Sequence, residues 1–134
     1  MKNVDTTIHF VKEPHPATLC ANKPPIGRLM YRCAVFLSAS DHQMPKAVVA
    51  YHKGRIVGIL KYRTRYKTLH TAGTMVDRRF RGKGIATKMW KALLKRERPH
   101  TVDVPISTND GMKLIKKIRS QHKDVMFVIH DYIS

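Results

Sequence analysis

Acidic residues are scarce in this sequence of 134 residues. Asp and Glu together number 9, against 26 Lys and Arg, which gives a formal net charge of +17. A charge of that size attracts polyanions such as nucleic acids and disfavours basic peptides as partners. An acidic protein surface is the rival partner class, and a cationic surface that is simply solvated is the alternative without a partner.

Cysteine is also rare, and long apolar runs are missing. Cys20 and Cys33 fit neither a disulfide framework nor a zinc site, and the eight histidines form no cluster with metal-ligand spacing, so no metal is expected. No stretch is long enough to cross a bilayer, and the first ten residues lack the apolar core of a signal peptide. These absences predict a cytoplasmic chain without membrane contact.

Length and hydrophobic patterning predict one α/β domain over residues 1–134, since 43% of the residues are apolar. The predicted order is β, α, β, β, β, α, β, α, β, which favours a mixed central sheet of about six strands flanked by three or four helices. Gly73 lies inside a predicted strand and indicates a bulge or a close backbone approach. Strands are predicted at 6–12, 47–51, 56–62, 68–76, 101–106 and 125–129, and helices at 26–37, from 85 to before Pro99, and at 109–120.

A glycine-containing turn, Arg81-Gly82-Lys83-Gly84, precedes the second predicted helix. The first amides of a helix lack partners and carry partial positive charge, and glycines in front of them let a phosphate approach closely. The turn has neither the Walker pattern nor the full dinucleotide-binding spacing. Taken alone, it fits both a phosphate cradle and an ordinary β–α connection.

The residues around this turn resemble the central motif of the GNAT family of acetyltransferases. Val76-Asp77 ends a strand, Phe80 supplies the family's aromatic residue, and a helix follows the turn. The family signature Q/R-x-x-G-x-G/A reads here Arg81-x-x-Gly84-x-Ala86. A second register, Arg79-x-x-Gly82-x-Gly84, also fits, but the first one keeps Phe80 at the aromatic position.

The resemblance covers residues 46–129. Gly54-Arg55-Ile56-Val57-Gly58 looks like the family's G-x-I/V-V-G, and the helix at Asn109 looks like its N-x-x-A-x-x-L-Y element. Residues 1–45 match only loosely and form a divergent N-terminal part, a region that shapes the acceptor site in this family. The resemblance thus implies a single GNAT-like domain with an acetyl-CoA-binding core at 46–129.

Acetyl-CoA is the cofactor that the resemblance implies. The amides of Gly82–Ala86 would hold its pyrophosphate, the strand edge at 75–76 would pair with the pantetheine arm, and Asn109 would lie near that arm. Lys83 and Lys88 could reach the ADP phosphates. The implied cofactor-binding residues are Met75, Val76, Arg81, Gly82, Lys83, Gly84, Ile85, Ala86 and Asn109.

The resemblance also suggests catalytic residues. Histone-type relatives carry a glutamate base eleven residues before the signature, and that position here is His70. Histidine as a residue type suits a general base, because its unperturbed pKa lies near neutrality. The family's tyrosine acid falls at Lys116, so Tyr51, Tyr62 or water would have to supply the proton, and Tyr62 is predicted with His70. The missing tyrosine keeps open a GNAT-like module without activity.

Two further carboxylates lie near strand ends. Asp77 is interpreted as a turn residue and Asp103 as structural.

The surplus of positive charge predicts contacts with nucleic acid or an acidic protein. Tyr62 and Tyr66 alternate with basic residues and could stack on bases. The predicted contacts are Arg63, Arg65, Lys67, Arg78, Arg79, Lys116 and Lys117.

The predicted function is acetyl transfer to an amine on an anionic macromolecule. Alternatives are a non-catalytic module that binds such a partner, and a small-molecule acetyltransferase, for which the charge disfavours cationic acceptors such as polyamines. Members of this family often dimerise, so a homodimer is a candidate assembly.

Overall fold

The structure, a computed structural model, describes residues 5–12 and 46–133. These form one six-stranded sheet in which the strands follow the order of the sequence, with two α-helices and one 3-10 turn. The strands are β1 (Thr7–Lys12), β2 (Lys46–His52), β3 (Arg55–Arg65), β4 (Thr68–Val76), β5 (Thr101–Ile106) and β6 (Met126–Asp131). The helices are α1 (Ile85–Glu97) and α2 (Asn109–Gln121), and the 3-10 turn is Arg78–Phe80.

The sheet is mixed. The pairs β1–β2, β2–β3 and β3–β4 are antiparallel, whereas the pairs β4–β5 and β5–β6 are parallel. The two parallel connections pass through α1 and α2, and right-handed crossovers place both helices on the same face. We call this the helix face. Its core contains residues from both helices, among them Trp90 and Ile118.

The opposite face carries a smaller apolar cluster. Ala47, Val49, Ile56 and Ile59 are buried there, alternating along β2 and β3 with the residues of the helix-face core. Alternation of side chains along a strand thus gives each of these strands two buried sides.

A glycine in β3 sets how closely α1 approaches the sheet. A Cβ on Gly58 would lie 2.8 Å from Cε of Met89 and 3.2 Å from Cγ2 of Ile85. The absence of a side chain at residue 58 therefore lets the first turns of α1 pack directly on the strand.

The predicted α/β fold with a mixed sheet of six strands is confirmed, and the last two predicted helices are observed. Strand β3 extends beyond the predicted end at 62, because Arg63–Arg65 pair with Thr68–His70. The β3–β4 register shifts beside Gly73, as the glycine predicted. The predicted helix at 26–37 and both cysteines lie outside the described residues. Among those described, no helix is long and apolar enough to span a bilayer.

Candidate functional site

A cleft opens between β4 and β5. The two strands pair only where Thr68–His70 face Thr101–Asp103, whereas β5 pairs with β6 along its whole length. Beyond His70, the edge of β4 that faces β5 has no strand partner within the described residues. Backbone N–H and C=O groups there can pair with an extended ligand, which is the position implied for the pantetheine arm at Met75 and Val76.

Thr71 adds a polar atom near the start of this cleft. Its Oγ1 is buried and makes no hydrogen bond within the part of the chain that the structure describes. A buried hydroxyl without a partner carries a free-energy cost that a ligand can remove by hydrogen bonding. A threonine in a strand gives no signal of its own, so Thr71 could not be predicted as a site residue from the sequence.

The glycine turn lies at the upper end of the cleft. Gly82 and Gly84 have φ of 76° and 80°, in the left-handed region, and a Cβ on either would meet no atom within 4 Å. Their backbone conformation requires glycine although the space around them is open. Gly84 is the N-cap of α1, no side chain caps this helix, and its first turn holds no acidic residue.

An uncapped helix start with open space in front of it is suited to an anion. Arg81 and Lys83 are exposed beside it and add positive charge. The residues present therefore fit the pyrophosphate of acetyl-CoA, with Gly82–Ala86 as the cradle.

Asp77 holds the turn in shape, as its interpretation as a turn residue predicted. Its carboxylate accepts hydrogen bonds from the Arg79 amide at 3.0 Å and from the Arg79 guanidinium at 3.3 and 3.4 Å. Burial acts to raise the pKa of Asp77, but the hydrogen bonds and charge of Arg79 outweigh it and lower that pKa. Arg81 donates through Nε to the carbonyl of Val76 at 3.1 Å. Both arginines thus contact the turn itself.

The two lysines considered for the ADP phosphates differ. Nζ of Lys88 donates to the carbonyl and to Oγ1 of Thr6, which ties α1 to the start of β1. The structure therefore assigns Lys88 to a contact with β1, and Lys83 remains as the exposed cation at the cradle.

Asn109 lies at the same end of the sheet as the glycine turn, but it follows a different strand. It is the first residue of α2, which follows β5, and Thr108 caps this helix by accepting the Gly111 amide at 3.0 Å. Because β4 and β5 are parallel, Asn109 and the glycine turn both follow carboxyl ends of strands. Ligands in α/β sheets commonly bind at that edge.

A cluster of three titratable side chains lies on the opposite face, where β4 and β5 separate. Nδ1 of His70 is 4.0 Å from Oδ2 of Asp103, and Nε2 of His130 is 3.0 Å from Oδ1 of the same carboxylate. These side chains are partly exposed and come from β4, β5 and β6. Asp103, predicted to be structural, is therefore the central member of a His–Asp–His cluster.

His130 was missed because its neighbours depend on strand register. Val128 lies opposite Asp103 in the parallel β5–β6 pair, and His130, two residues further on, has its side chain on the same face. Only the alternation along β6 could have indicated the face, and nothing in the sequence sets the register.

The structure separates His70 from the tyrosines and Lys116. Tyr62 is 2% exposed in the helix-face core, and burial, followed by the nearby Glu97 carboxylate, raises its pKa. Tyr51 is on the opposite face but two strands from β4, with its ring edge-on to His9. Lys116 is exposed on α2, which covers the helix face. A hydroxyl buried across the sheet is poorly placed to donate a proton in the cleft, so Tyr62 is not carried further.

The predicted contact residues form three separate patches. Arg63, Arg65 and Lys67 lie at the β3–β4 hairpin, and the pair at 78–79 lies at the glycine turn, at the other end of β4. Nine residues of strand separate these two patches by about 25–30 Å. The third patch, 116–117, is on α2.

Comparison with known proteins agrees with this geometry. The chain matches the model of the acetyltransferase (GNAT) family over residues 11–108. No match was found among curated proteins.

Several solved structures share the fold. A ribosomal-protein-alanine N-acetyltransferase from Brucella melitensis biovar Abortus 2308 superposes with a TM-score of 0.60 and 17% identity, covering 85% of this chain and 90% of that chain. The ribosomal-protein-S18-alanine N-acetyltransferase of Escherichia coli superposes with a TM-score of 0.62 and 9% identity, covering 85% of this chain and 76% of that chain. The third is the diaminobutyrate acetyltransferase EctA of Paenibacillus lautus, in complex with L-2,4-diaminobutyric acid and coenzyme A. It superposes with a TM-score of 0.57 and 17% identity, covering 89% of this chain and 78% of that chain.

The family match extends over most of the chain and includes the cleft, the glycine turn and the first helix. At these identities, the solved structures support the fold alone. The chain belongs to the GNAT acetyltransferase family, whose cofactor is acetyl-CoA.

Proposed function

We propose that this protein transfers an acetyl group from acetyl-CoA to an amine on an anionic macromolecule, with His70 as the general base. The observation that carries the proposal is the contact between His70 and Asp103 at the point where β4 and β5 separate. The contact puts an imidazole and a carboxylate at the lower end of a cleft whose upper end carries the glycine turn.

The cofactor would be held by groups at the cleft and at its upper end. The amides of Gly82–Ala86 would take the pyrophosphate, with Lys83 as a neighbouring cation. The edge of β4 at Met75 and Val76, which does not pair with β5 and where Arg81 Nε contacts the Val76 carbonyl, would pair with the pantetheine arm. Asn109 would lie near that arm. Acetyl-CoA supplies an acetyl group activated as a thioester, which an uncharged amine can attack.

His70 would make the amine uncharged. Because Nδ1 lies on the side of the Asp103 carboxylate, Nε2 is the ring atom left to accept the proton of an incoming ammonium group. A separation of 4.0 Å is longer than a hydrogen bond, and such contacts often tighten only when substrate is bound. An acid is also needed to protonate the thiolate of CoA as it leaves. Of the acids that the sequence left open, water remains the candidate for this step.

Charge favours an anionic acceptor. A net charge of +17 concentrates polyanions at the protein surface and repels cationic small molecules such as polyamines. The Brucella and Escherichia coli proteins are named for transfer to the alanine of ribosomal proteins. An amine on a protein bound to nucleic acid belongs to the acceptor class proposed here.

Calorimetry tests the proposal first, with acetyl-CoA titrated into protein stripped of nucleic acid. Stoichiometric binding, followed by transfer to an amine linked to RNA, DNA or an acidic protein, would support it. Binding of the cofactor together with transfer only to small neutral amines would point instead to a small-molecule acetyltransferase.

The rival is a GNAT-like module that binds an anionic partner without catalysis. The feature that favours it is Lys116 at the position of the family's tyrosine acid, together with the burial of Tyr62 on the face of the sheet away from His70. Polyanion binding with steep salt dependence, without acetyl transfer to any of these acceptors, would favour this module.

A further inference from the structure

Three connections meet at the edge of the sheet opposite the glycine turn. They are the β3–β4 turn at Tyr66-Lys67, the loop 98–100 after α1 and the loop 122–125 after α2. Backbone hydrogen bonds join them, since the His100 amide donates to the Lys67 carbonyl at 2.8 Å and the Met126 amide donates to the His100 carbonyl at 2.9 Å. We call this surface the basic edge. Its exposed members are Arg65, Tyr66, Lys67, Arg98, His100, Lys123 and Asp124.

Positive charge dominates this edge. Four of its seven exposed members carry a full positive charge and one, Asp124, carries a negative charge, while Glu97 adjoins the edge in sequence. Glu97 is partly buried and pairs with Arg96 at 3.8 Å, so it is already neutralised locally. Exposed Arg and Lys side chains on and beside three hydrogen-bonded loops give a positive surface that suits a phosphate backbone.

Tyr66 adds an exposed aromatic ring, a feature that contact with phosphates alone does not require. Its side chain is 89% exposed, and the guanidinium of Arg65 lies 5.4 Å from the centre of its ring. Beside it, between the hairpin and Pro99, lies a cavity of about 220 Å³. An exposed aromatic ring flanked by cations is the arrangement on which unpaired bases stack.

Backbone conformation at this edge is unfavourable for the residues that occupy it. Tyr66, Lys67 and Arg98 have φ of 50°, 62° and 46°, and among the described residues only one other non-glycine, Lys53, has positive φ. The left-handed region is unfavourable for a residue with a side chain, because the Cβ lies too close to the following carbonyl oxygen. A two-residue hairpin turn with positive φ at both positions favours Asn-Gly, so Tyr-Lys is a poor choice for stability alone. Strain of this kind is typical of functional surfaces.

We propose that the basic edge binds single-stranded nucleic acid, with the phosphates on its Arg and Lys side chains and a base stacked on Tyr66. Lys67 is three residues from His70 along β4, a distance of about 10 Å. A single-stranded nucleic acid bound here would bring an attached amine towards His70 from the side opposite the glycine turn. This last step rests on the proposed function, whereas nucleic-acid binding at the basic edge does not.

The test compares two variants that relax positive-φ turns. Tyr66→Asn/Lys67→Gly installs the favoured turn at the basic edge. The matched control, Lys53→Asn, relaxes the β2–β3 turn at the other end of the sheet and, like Lys67→Gly, removes one positive charge. Because both turns become less strained, both variants are expected to melt at or above the temperature of the unmodified protein.

Affinity for a fluorescent oligothymidylate is measured by anisotropy over a range of salt concentrations. The double variant is expected to bind about five- to hundredfold more weakly, the range for loss of one stacked base. Its plot of log affinity against log salt should lose about 0.7 of slope, the amount for one single-strand phosphate contact. Lys53→Asn should match the unmodified protein in affinity.

Three results would overturn the proposal. They are unchanged affinity and slope in the double variant, an equal loss in Lys53→Asn, and equal or tighter binding of polyglutamate that does not depend on Tyr66. The last result would identify an acidic protein as the partner. Acetyl-CoA titrations and transfer to a small amine, measured on the same variants, separate this proposal from the proposed function, because neither should depend on the basic edge.

Discussion

Nδ1 of His70 lies 4.0 Å from Oδ2 of Asp103, and these two residues form the last pair before β4 and β5 separate. The same carboxylate meets Nε2 of His130 at 3.0 Å. Asp103 can therefore orient the imidazole of His70 from its Nδ1 side. This relationship makes the reaction testable with substitutions on two strands.

Replacing His70 with Gln should lower kcat by about 10²- to 10⁴-fold, the range for loss of a general base. Acetyl-CoA affinity should stay the same, because the cradle is at the other end of β4. The pH–rate profile should also lose the limb that reports deprotonation of the base. Tyr62→Phe is the matched control and should keep the kcat of the unmodified protein. A full rate in His70→Gln, or a large loss in Tyr62→Phe, would reverse the assignment.

Asp103→Asn should lower kcat by about tenfold, less than His70→Gln, because it removes the orienting charge but not the base. Residues that act as one unit give non-additive losses. The double variant His70→Gln/Asp103→Asn should therefore be no slower than His70→Gln alone. Losses that multiply in the double variant would mean that the two residues act independently.

Gly84→Asp should abolish acetyl-CoA binding in calorimetry, because a side chain and a negative charge would enter the phosphate cradle. Gly84→Ala should weaken binding and also reduce stability by about 1 kcal/mol or more, since residue 84 has φ of 80°. Gly54→Ala, at φ of 75° in the β2–β3 turn, imposes the same kind of strain away from the cradle. Equal loss of affinity in the Gly54 and Gly84 variants would show that the effect comes from stability alone.

Gly58→Ala should destabilise the fold by about 1–3 kcal/mol through overpacking against α1. The new Cβ would lie 2.8 Å from Cε of Met89, which is the end of a flexible side chain. Met89→Ala should remove much of this clash, so the double variant should be more stable than the sum of the single effects predicts. Denaturant unfolding of the four proteins measures the cycle, and simple additivity would exclude the clash as the cause.

Lowering the pH should reduce the free energy of unfolding, partly because Asp77 becomes protonated. Its pKa is lowered in the folded state, so its ionised form stabilises the protein above the unfolded value of about 3.9, and this contribution is lost as pH falls through the folded pKa. Asp77→Asn should reduce the free energy of unfolding at pH 7 and approach the unmodified protein in strong acid. A stability difference that does not change with pH would show that the carboxylate charge plays no part.

Much of this protein could be predicted from local sequence. Apolar alternation and helical periodicity located the elements from β2 to β6, because burial on one side of a strand or helix leaves a pattern in neighbouring residues. The turn from Val76 to Ala86 was recognisable for a similar reason. Positive φ at residues 82 and 84 and an uncapped helix start are local properties, which glycine and the surrounding residue types record directly.

The cluster of His70, Asp103 and His130 depended instead on tertiary structure. His70, Asp103 and His130 are far apart in sequence and meet because two helical crossovers set the register of parallel strands, which no short pattern encodes. Tyr62 and Arg63 are adjacent residues on opposite sides of β3, so a basic and aromatic run could not reveal that Tyr62 is buried in the helix-face core. Separation of the basic residues into patches at the two ends of β4 likewise follows from the length and direction of the strand. Local sequence therefore determined the elements and the anion cradle, whereas packing between distant segments decided which side chains share the cleft.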